Sequence, residues 1–122
     1  MTRIINFTCG AYDVQFLCKA RSTRNGFAHD AELHINGSFW EEDSCFYLNR
    51  TWESWNFQSA CLAACSKRIR KRTEDLRVWF KEEHGLNRLA GKNAEKFAKI
   101  VESDWEIELM KEIKKALNER RF

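Results

Sequence analysis

The 122-residue sequence contains no proline, only five glycines and no long apolar run. Without proline, no helix of the chain has an obligatory kink. Residues 1–7 have no apolar segment of the kind that opens a secretory signal. No stretch approaches the roughly 18 apolar residues that a membrane-spanning helix requires. Since the five cysteines cannot all pair within one chain, we expect reduced thiols, a cytoplasmic location and no membrane association.

The sequence also lacks the motifs that carry most enzyme and cofactor chemistry. It has no glycine-rich phosphate loop and no Gly-x-Ser-x-Gly nucleophile elbow. Cys61 and Cys65 lie one helical turn apart, but no second pair of Cys or His residues has the spacing of a zinc site. We therefore expect both thiols to be buried as small hydrophobic groups. We predict no metal, no cofactor and no catalytic residue.

The first half of the chain predicts an antiparallel sheet. Apolar and polar residues alternate with a period of two over residues 14–21 and 27–35. Asn25-Gly26 lies between these runs and Asn36-Gly37 follows the second, and Asn-Gly supplies the positive φ angles of a tight hairpin. Shorter strands are predicted on either side, over residues 4–8 and 45–48. The pattern is typical of a meander of three or four strands.

The second half predicts helices. Apolar residues recur at helical spacing from Phe57 to Ile69, and this stripe fits a helix packed across one face of the sheet. Arg68 and Arg72 then occupy positions where the stripe would continue, before it resumes at Leu76. Two interpretations are open at this point: the helix runs past the edge of the sheet, or it breaks and a second helix begins at Thr73.

A last helix is predicted from about Lys92 to about Asn118, with Ser103-Asp104 as a candidate break. Its apolar stripe includes Trp105, Leu109 and Ile113, and a stripe of this width is also compatible with a homodimer interface. Trp79 and Trp105 are expected in the core because both lie on helix stripes.

The predicted fold class is α+β, with an antiparallel three- to four-stranded meander covered by a helix and followed by C-terminal helices. The length is that of one domain. Residues 1–85 form the sheet and its packed helix, and residues 86–122 form a C-terminal helical segment of the same domain.

A short basic segment dominates the charge pattern. The net charge is only +3, but residues 66–72 carry five basic residues and no acid: Lys67, Arg68, Arg70, Lys71 and Arg72. Arginine offers bidentate geometry to phosphates and carboxylates. Because a helix that only covers a sheet has no reason to place arginine on its apolar stripe, Arg68 and Arg72 favour a binding function. The alternative is a solvated helix face that neighbouring acids balance.

Four further residues complete the predicted binding surface. Arg21 and Arg24 flank the first Asn-Gly turn and extend the basic surface from the sheet. Trp52 and Trp55 lie in the junction between strand and helix, where exposed indoles would anchor an interface or stack on bases. The alternative for both tryptophans is a buried cover over the end of the sheet.

Cys18 and His29 provide the one enzymatic alternative, as nucleophile and base on neighbouring strands. Asp30 cannot readily orient His29, because adjacent strand residues point to opposite faces of a sheet. We therefore expect a protein that is not an enzyme.

Residues 46–60 carry one family resemblance. An aromatic strand, Phe46-Tyr47-Leu48, leads into Asn49-Arg50-Thr51-Trp52-Glu53 and then into the start of a helix. This segment resembles one seen in small phage-encoded accessory proteins, a group that includes antagonists of host defence such as anti-CRISPR proteins. The resemblance implies a viral or mobile-element origin, a place in the host cytoplasm and a non-enzymatic role.

The leading functional hypothesis is a small binding protein that inhibits or modulates a host protein or nucleoprotein through its basic helix and aromatic junction. The first alternative is a protein that binds nucleic acid directly through Lys67 to Arg72. The second alternative is a small enzyme that depends on Cys18 or His29.

Overall fold

The computed structural model describes residues 2–47 and 57–119. Seven elements follow one another along these residues: β1 (Thr2–Cys9), β2 (Tyr12–Thr23), β3 (Gly26–Ile35), β4 (Ser38–Tyr47), α1 (Gln58–His84), α2 (Lys92–Ser103) and α3 (Trp105–Glu119). The strands form one antiparallel sheet in the order β1-β2-β3-β4. The predicted α+β fold, with a meander followed by helices, is therefore confirmed.

The two hairpin turns that flank β3 differ in their chemistry. Asn36 and Gly37 both have positive φ angles, 50° and 82°, as an Asn-Gly hairpin requires. Asn36 also accepts a hydrogen bond from the backbone N–H of Asp13 at 2.8 Å. The earlier turn is displaced by one residue from the prediction, because Thr23 pairs with Gly26 and leaves Arg24 and Asn25 as the loop.

The strand β4 begins at Ser38, which pairs with Ile35 directly after the second turn, and runs to Tyr47. The prediction placed its start near Cys45, because the acidic stretch before it reads as a loop. A bulge lies in this stretch, since Leu33 pairs with Glu41 whereas His34 pairs with Phe39. The extra residue on β4 is Trp40.

The core lies between one face of the sheet and two helices. Alternate strand residues such as Phe16 and Leu33 point into it. The helix α1 contributes small side chains, Ala60, Cys61, Ala64 and Cys65, which allow it to approach the sheet closely. The helix α3 contributes larger ones, Leu109, Met110, Ile113 and Leu117. The C-terminal segment is thus part of the main core.

The helix α1 is continuous over 27 residues, so it does not break at Thr73. The Thr73 hydroxyl donates to the carbonyl of Ile69 at 2.7 Å, within the helix. A helix of this length spans roughly 40 Å, longer than the sheet is wide, and its last turns pack on α2 instead. Phe80 is buried there against the ring of Phe97, with 5.7 Å between centroids.

The second predicted break, at Ser103-Asp104, is confirmed. Asp104 has an extended conformation, and its carboxylate accepts the backbone N–H of Ile107 at 3.1 Å as the N-cap of α3. The placement of two tryptophans was wrong, because Trp79 is 49% and Trp105 is 54% exposed. Their neighbours Phe80 and Ile107 occupy the buried positions instead.

The face of α3 that was a candidate for a homodimer interface is occupied within the chain itself. Leu109 and Ile113, which lie on the predicted stripe, are both members of the core. They therefore cannot also pair with a second copy. Within residues 2–47 and 57–119, no helix combines the length and the apolar character that crossing a membrane demands.

Candidate functional site

The basic segment Lys67–Arg72 lies in the middle of α1, and most of its charges face carboxylates of the same chain. Three buried carboxylates come from different elements: Glu41 from β4, Asp104 from the junction between α2 and α3, and Glu106 from the first turn of α3. We call these three carboxylates and their four basic partners the ion-pair cluster. The basic partners are Lys67, Arg68, Lys71 and Arg72.

Arg68 contacts both β4 and α3. Its Nε donates to Oε1 of Glu106 at 2.8 Å, and its Nη2 donates to the same oxygen. Its Nη1 donates to the carbonyl of Trp40 at 3.3 Å, and the guanidinium carbon lies 5.3 Å from the centre of the Trp40 ring. Arg68 therefore combines a charge-assisted hydrogen bond with a cation–π contact.

Arg72 forms a bidentate pair with Asp104. Its Nη2 lies 2.9 Å from Oδ1 and its Nε lies 3.2 Å from Oδ2 of that carboxylate. Its Nε is also 3.0 Å from Oε2 of Glu106. The hydrogen bond from Arg72 holds the pKa of Asp104 below its ordinary value, and the same contact raises the pKa of Arg72.

Glu41 receives the two lysines of the cluster. It lies opposite Leu33 on the core face of the sheet and is 2% exposed. Burial alone would raise its pKa, but the hydrogen bond from Lys71 and the charge of Lys67 outweigh burial and lower the pKa. The Nζ of Lys71 lies 2.9 Å from Oε2, and that of Lys67 lies 3.7 Å from Oε1.

The ion-pair cluster gives the basic stripe of α1 a structural role. It joins the middle of α1 to β4 on one side and to the start of α3 on the other. Arg68 and Arg72 thus have a structural reason to lie on the apolar stripe, and the binding role predicted for them stays a prediction. Both arginines lie on that stripe because they compensate buried carboxylates.

Among the other residues of the predicted surface, Arg21 lines the same surface groove as Lys67 of the basic segment. Arg21 points to the face of the sheet that α1 leaves open, where its Nε pairs with Asp30 at 2.9 Å. Arg24 and Arg70 are exposed, and neither takes part in an ion pair within the described part of the chain. Trp52 and Trp55 lie outside the described residues.

The open face of the sheet carries a set of polar side chains that pair across strands. Asp30 on β3 accepts hydrogen bonds from Arg21 on β2 and from the hydroxyl of Ser44 on β4. The Nε2 of Gln15 donates to Oδ1 of Asn6 at 3.1 Å. These pairs hold the side chains of four strands in fixed positions.

A shallow groove of about 670 Å³ lies along this open face, and its lining also includes Lys67 of α1. Ile4 on β1 lines this groove, and Phe39 and Phe46 on β4 lie on the same face outside its lining; all three are more than half exposed. The charged residues along the groove are four basic and four acidic ones, namely Arg3, Lys19, Arg21, Lys67, Asp30, Glu32, Glu42 and Asp43. Glu32 and Glu42 are directly opposite each other on β3 and β4, a like-charge pair that costs stability.

Of the residues that line the groove, the sequence indicated only Arg21 and Lys67 as binding residues, and the others were missed. The alternation in β2 and β3 shows which side chains point away from the core. In β4 the alternation is obscured by the bulge at Trp40 and by the buried charge of Glu41. The exposure of Phe39 and Phe46 consequently has no local signal in the sequence.

Cys18 and His29 are both buried, at 3% and 1% exposure. The Sγ of Cys18 lies 3.7 Å from that of Cys61, and the His29 ring packs 4.3 Å from the ring of Phe57. Both side chains are therefore almost fully shielded from solvent.

Cys61 and Cys65 are fully buried, which confirms their predicted place in the core. Burial raises the pKa of Cys65 to about 12, so this thiol stays protonated at neutral pH. Within residues 2–47 and 57–119, no group of three or more His, Cys, Asp and Glu side chains is arranged to hold a metal ion.

The burial of His29 predicts a pH dependence of stability. Burial lowers the pKa of His29 below its ordinary value of 6.5, although the charge of Asp30 opposes this shift. Below pH 6.5 the unfolded chain binds a proton at this histidine that the folded chain does not bind. We therefore expect the free energy of unfolding to fall as the pH falls from 7 towards 5, above the range in which carboxylates titrate.

The measurement is urea denaturation at several pH values between 5 and 7. His29→Leu removes the titrating group, and its stability should change less over this interval than that of the unchanged chain. Equal slopes for the two proteins would show that His29 is not the source of the dependence.

Comparisons with protein-family models, with curated proteins and with solved structures gave no match to this chain.

Proposed function

We propose that this chain is a small non-enzymatic binding protein that docks on another protein through the open face of its sheet. The observation that carries the proposal is the groove on that face, together with Ile4, Phe39 and Phe46, which are exposed on the same face. Exposed apolar side chains around fixed polar groups are typical of protein interfaces.

The charges of the groove favour a protein partner over nucleic acid. Its lining has equal numbers of acidic and basic residues, whereas a surface that follows a phosphate backbone needs an excess of basic ones. The opposed carboxylates of Glu32 and Glu42 would repel phosphates but would accept a basic side chain of a protein. The basic segment of α1 is largely neutralised by the ion-pair cluster.

We further propose that the partner is a host protein that the chain inhibits or modulates. This part of the proposal is supported by the resemblance of residues 46–60 to small phage-encoded accessory proteins. Phe46 belongs to that segment and lies on the open face, two residues beyond Ser44 of the groove. The open sheet face ends at the segment of residues 46–60, which begins at the end of β4. Such a face suits a protein that acts by covering a surface of its partner.

The test compares two variants in affinity capture from a bacterial lysate, followed by binding measurements with the purified partner. The first variant carries Ile4→Lys and Phe46→Ser on the open face. The second, Arg70→Glu, reverses the charge of an exposed arginine of α1 without breaking an ion pair of the described residues. We expect the first variant to weaken binding about tenfold or more and the second to leave it unchanged.

The opposite pattern, with binding lost in Arg70→Glu and kept in the open-face variant, would overturn the assignment of the surface. Retention of nucleic acid whose affinity falls steeply with salt would contradict a protein partner. A chain that retains nothing above background would contradict a binding function altogether. Circular dichroism of both variants confirms that they are folded.

A further inference from the structure

A second surface lies at the other side of the molecule, where the turn between β1 and β2 meets α3. A notch of about 350 Å³ lies between the aromatic rings of Tyr12 and Trp105 and the side chain of Leu109. The two rings are nearly parallel, with 14° between their planes and 6.2 Å between their centroids. Trp105 is 54% exposed, so much of its indole face is open to solvent.

Two carboxylates border this notch. Glu108 and Glu112 lie one turn apart on α3, three and seven residues after Trp105, so all three side chains follow one stripe of the helix. Neither glutamate takes part in an ion pair within residues 2–47 and 57–119. This contrasts with the ion-pair cluster, where every buried carboxylate faces a cation.

Another part of the same molecule shows which side chain binds between an indole ring and a carboxylate. Arg68 lies over the indole of Trp40 while it donates to the carboxylate of Glu106. The notch presents the same two groups, an indole and a carboxylate, on the surface and without the arginine. The ring of Trp40 in fact packs edge-on against that of Trp105, with 6.0 Å between centroids.

We propose that the notch binds the side chain of an arginine presented by a protein partner, with the guanidinium stacked on Trp105 and donating to Glu108 and Glu112. Arginine fits better than lysine because its planar guanidinium both stacks on an aromatic face and forks onto carboxylates. The apolar floor of Leu109 suits the methylene groups of the same side chain. This surface is separate from the open sheet face and does not depend on its proposed partner.

The test uses short peptides that are uncharged apart from one central residue, which is arginine, lysine or citrulline, the neutral isostere of arginine. Each peptide is titrated into the ¹⁵N-labelled full chain, and the indole N–H signal of Trp105 is followed by NMR. We expect the arginine peptide to shift this signal, and the citrulline peptide to bind about tenfold more weakly, since it keeps the shape but loses the charge. The lysine peptide should also bind more weakly than the arginine peptide.

The matched variants are Glu108→Gln/Glu112→Gln, which keeps the side-chain shape and removes both charges, and Glu102→Gln, an exposed glutamate on α2. The first should weaken binding of the arginine peptide about tenfold, and the second should leave it unchanged. Equal binding of the arginine and citrulline peptides, or equal losses in the two variants, would overturn the proposal. An arginine peptide that leaves the Trp105 signal unmoved would overturn it as well.

Discussion

Replacing Arg68 by methionine is expected to lower the free energy of unfolding by about 2–3 kcal/mol, measured by urea denaturation at pH 7. The substitution leaves the side chain of Glu106, which is 5% exposed, with Arg72 as its one remaining cation among the described residues. An uncompensated buried carboxylate is costly because the site offers it little water. The expected loss in the free energy of unfolding is smaller than for a fully buried ion pair, because Arg68 is 31% exposed.

A double variant separates the loss of the arginine from the loss of the pair. Arg68→Met/Glu106→Met removes both charges and replaces them with apolar side chains of similar length. We expect it to be more stable than Arg68→Met alone, because the buried charge has been removed together with its partner. Arg70→Met, on the exposed side of α1, should change stability by less than about 0.5 kcal/mol. If Arg68→Met behaves like Arg70→Met, the ion-pair cluster contributes little to stability.

The sheet was predictable because its signals are local. Alternation with a period of two and an Asn-Gly pair each depend on residues a few positions apart, and β2, β3 and the second turn follow from them. The break before α3 is equally local, since Asp104 caps the helix that begins at the next residue. The first turn lies one residue earlier than predicted, because Thr23 pairs with Gly26 and the loop therefore consists of Arg24 and Asn25.

The partners of the basic segment were not predictable, because they are distant in the chain. Arg68 and Glu106 are 38 residues apart, and nothing near Arg68 in the sequence indicates that a buried carboxylate lies opposite. From the sequence alone, the arginines were therefore interpreted as part of a binding surface. Their position on the apolar stripe did carry information, since it showed that they face the interior and need a partner there.

Trp105 shows that a predicted stripe does not fix the centre of the buried face of a helix. Trp105 and Leu109 are four residues apart within α3 and therefore lie on adjacent positions of its surface. The buried face of α3 also includes Glu106, Ile107 and Met110, so its centre lies away from Trp105. Trp105 is left at the edge, where it forms the wall of a surface notch.

The function inferred from residues 46–60 stays a prediction, because residues 48–56 lie outside the described part of the chain.

Two isoleucine-to-alanine substitutions are expected to distinguish the two C-terminal helices. Ile113 on α3 is fully buried in the core between the helices and the sheet. Ile113→Ala should lower the free energy of unfolding by about 3 kcal/mol, because it removes buried methyl groups and leaves a cavity under the sheet. Ile100 on α2 is half-buried, and α2 has no fully buried residue. Ile100→Ala should therefore cost about 1 kcal/mol or less.

Hydrogen exchange separates global from local unfolding in these two variants. Since α3 and the sheet share one core, Ile113→Ala should accelerate exchange of the most protected amides in β2 and β3 as well as those in α3. Ile100→Ala should accelerate exchange in α2 and in the last turns of α1, and leave β2 unchanged. If Ile113→Ala affects α3 alone, then α3 is a separately unfolding helix, and the sheet with α1 is stable without it. In that case the ion pairs of α1 with Asp104 and Glu106 would not be needed to keep the sheet folded.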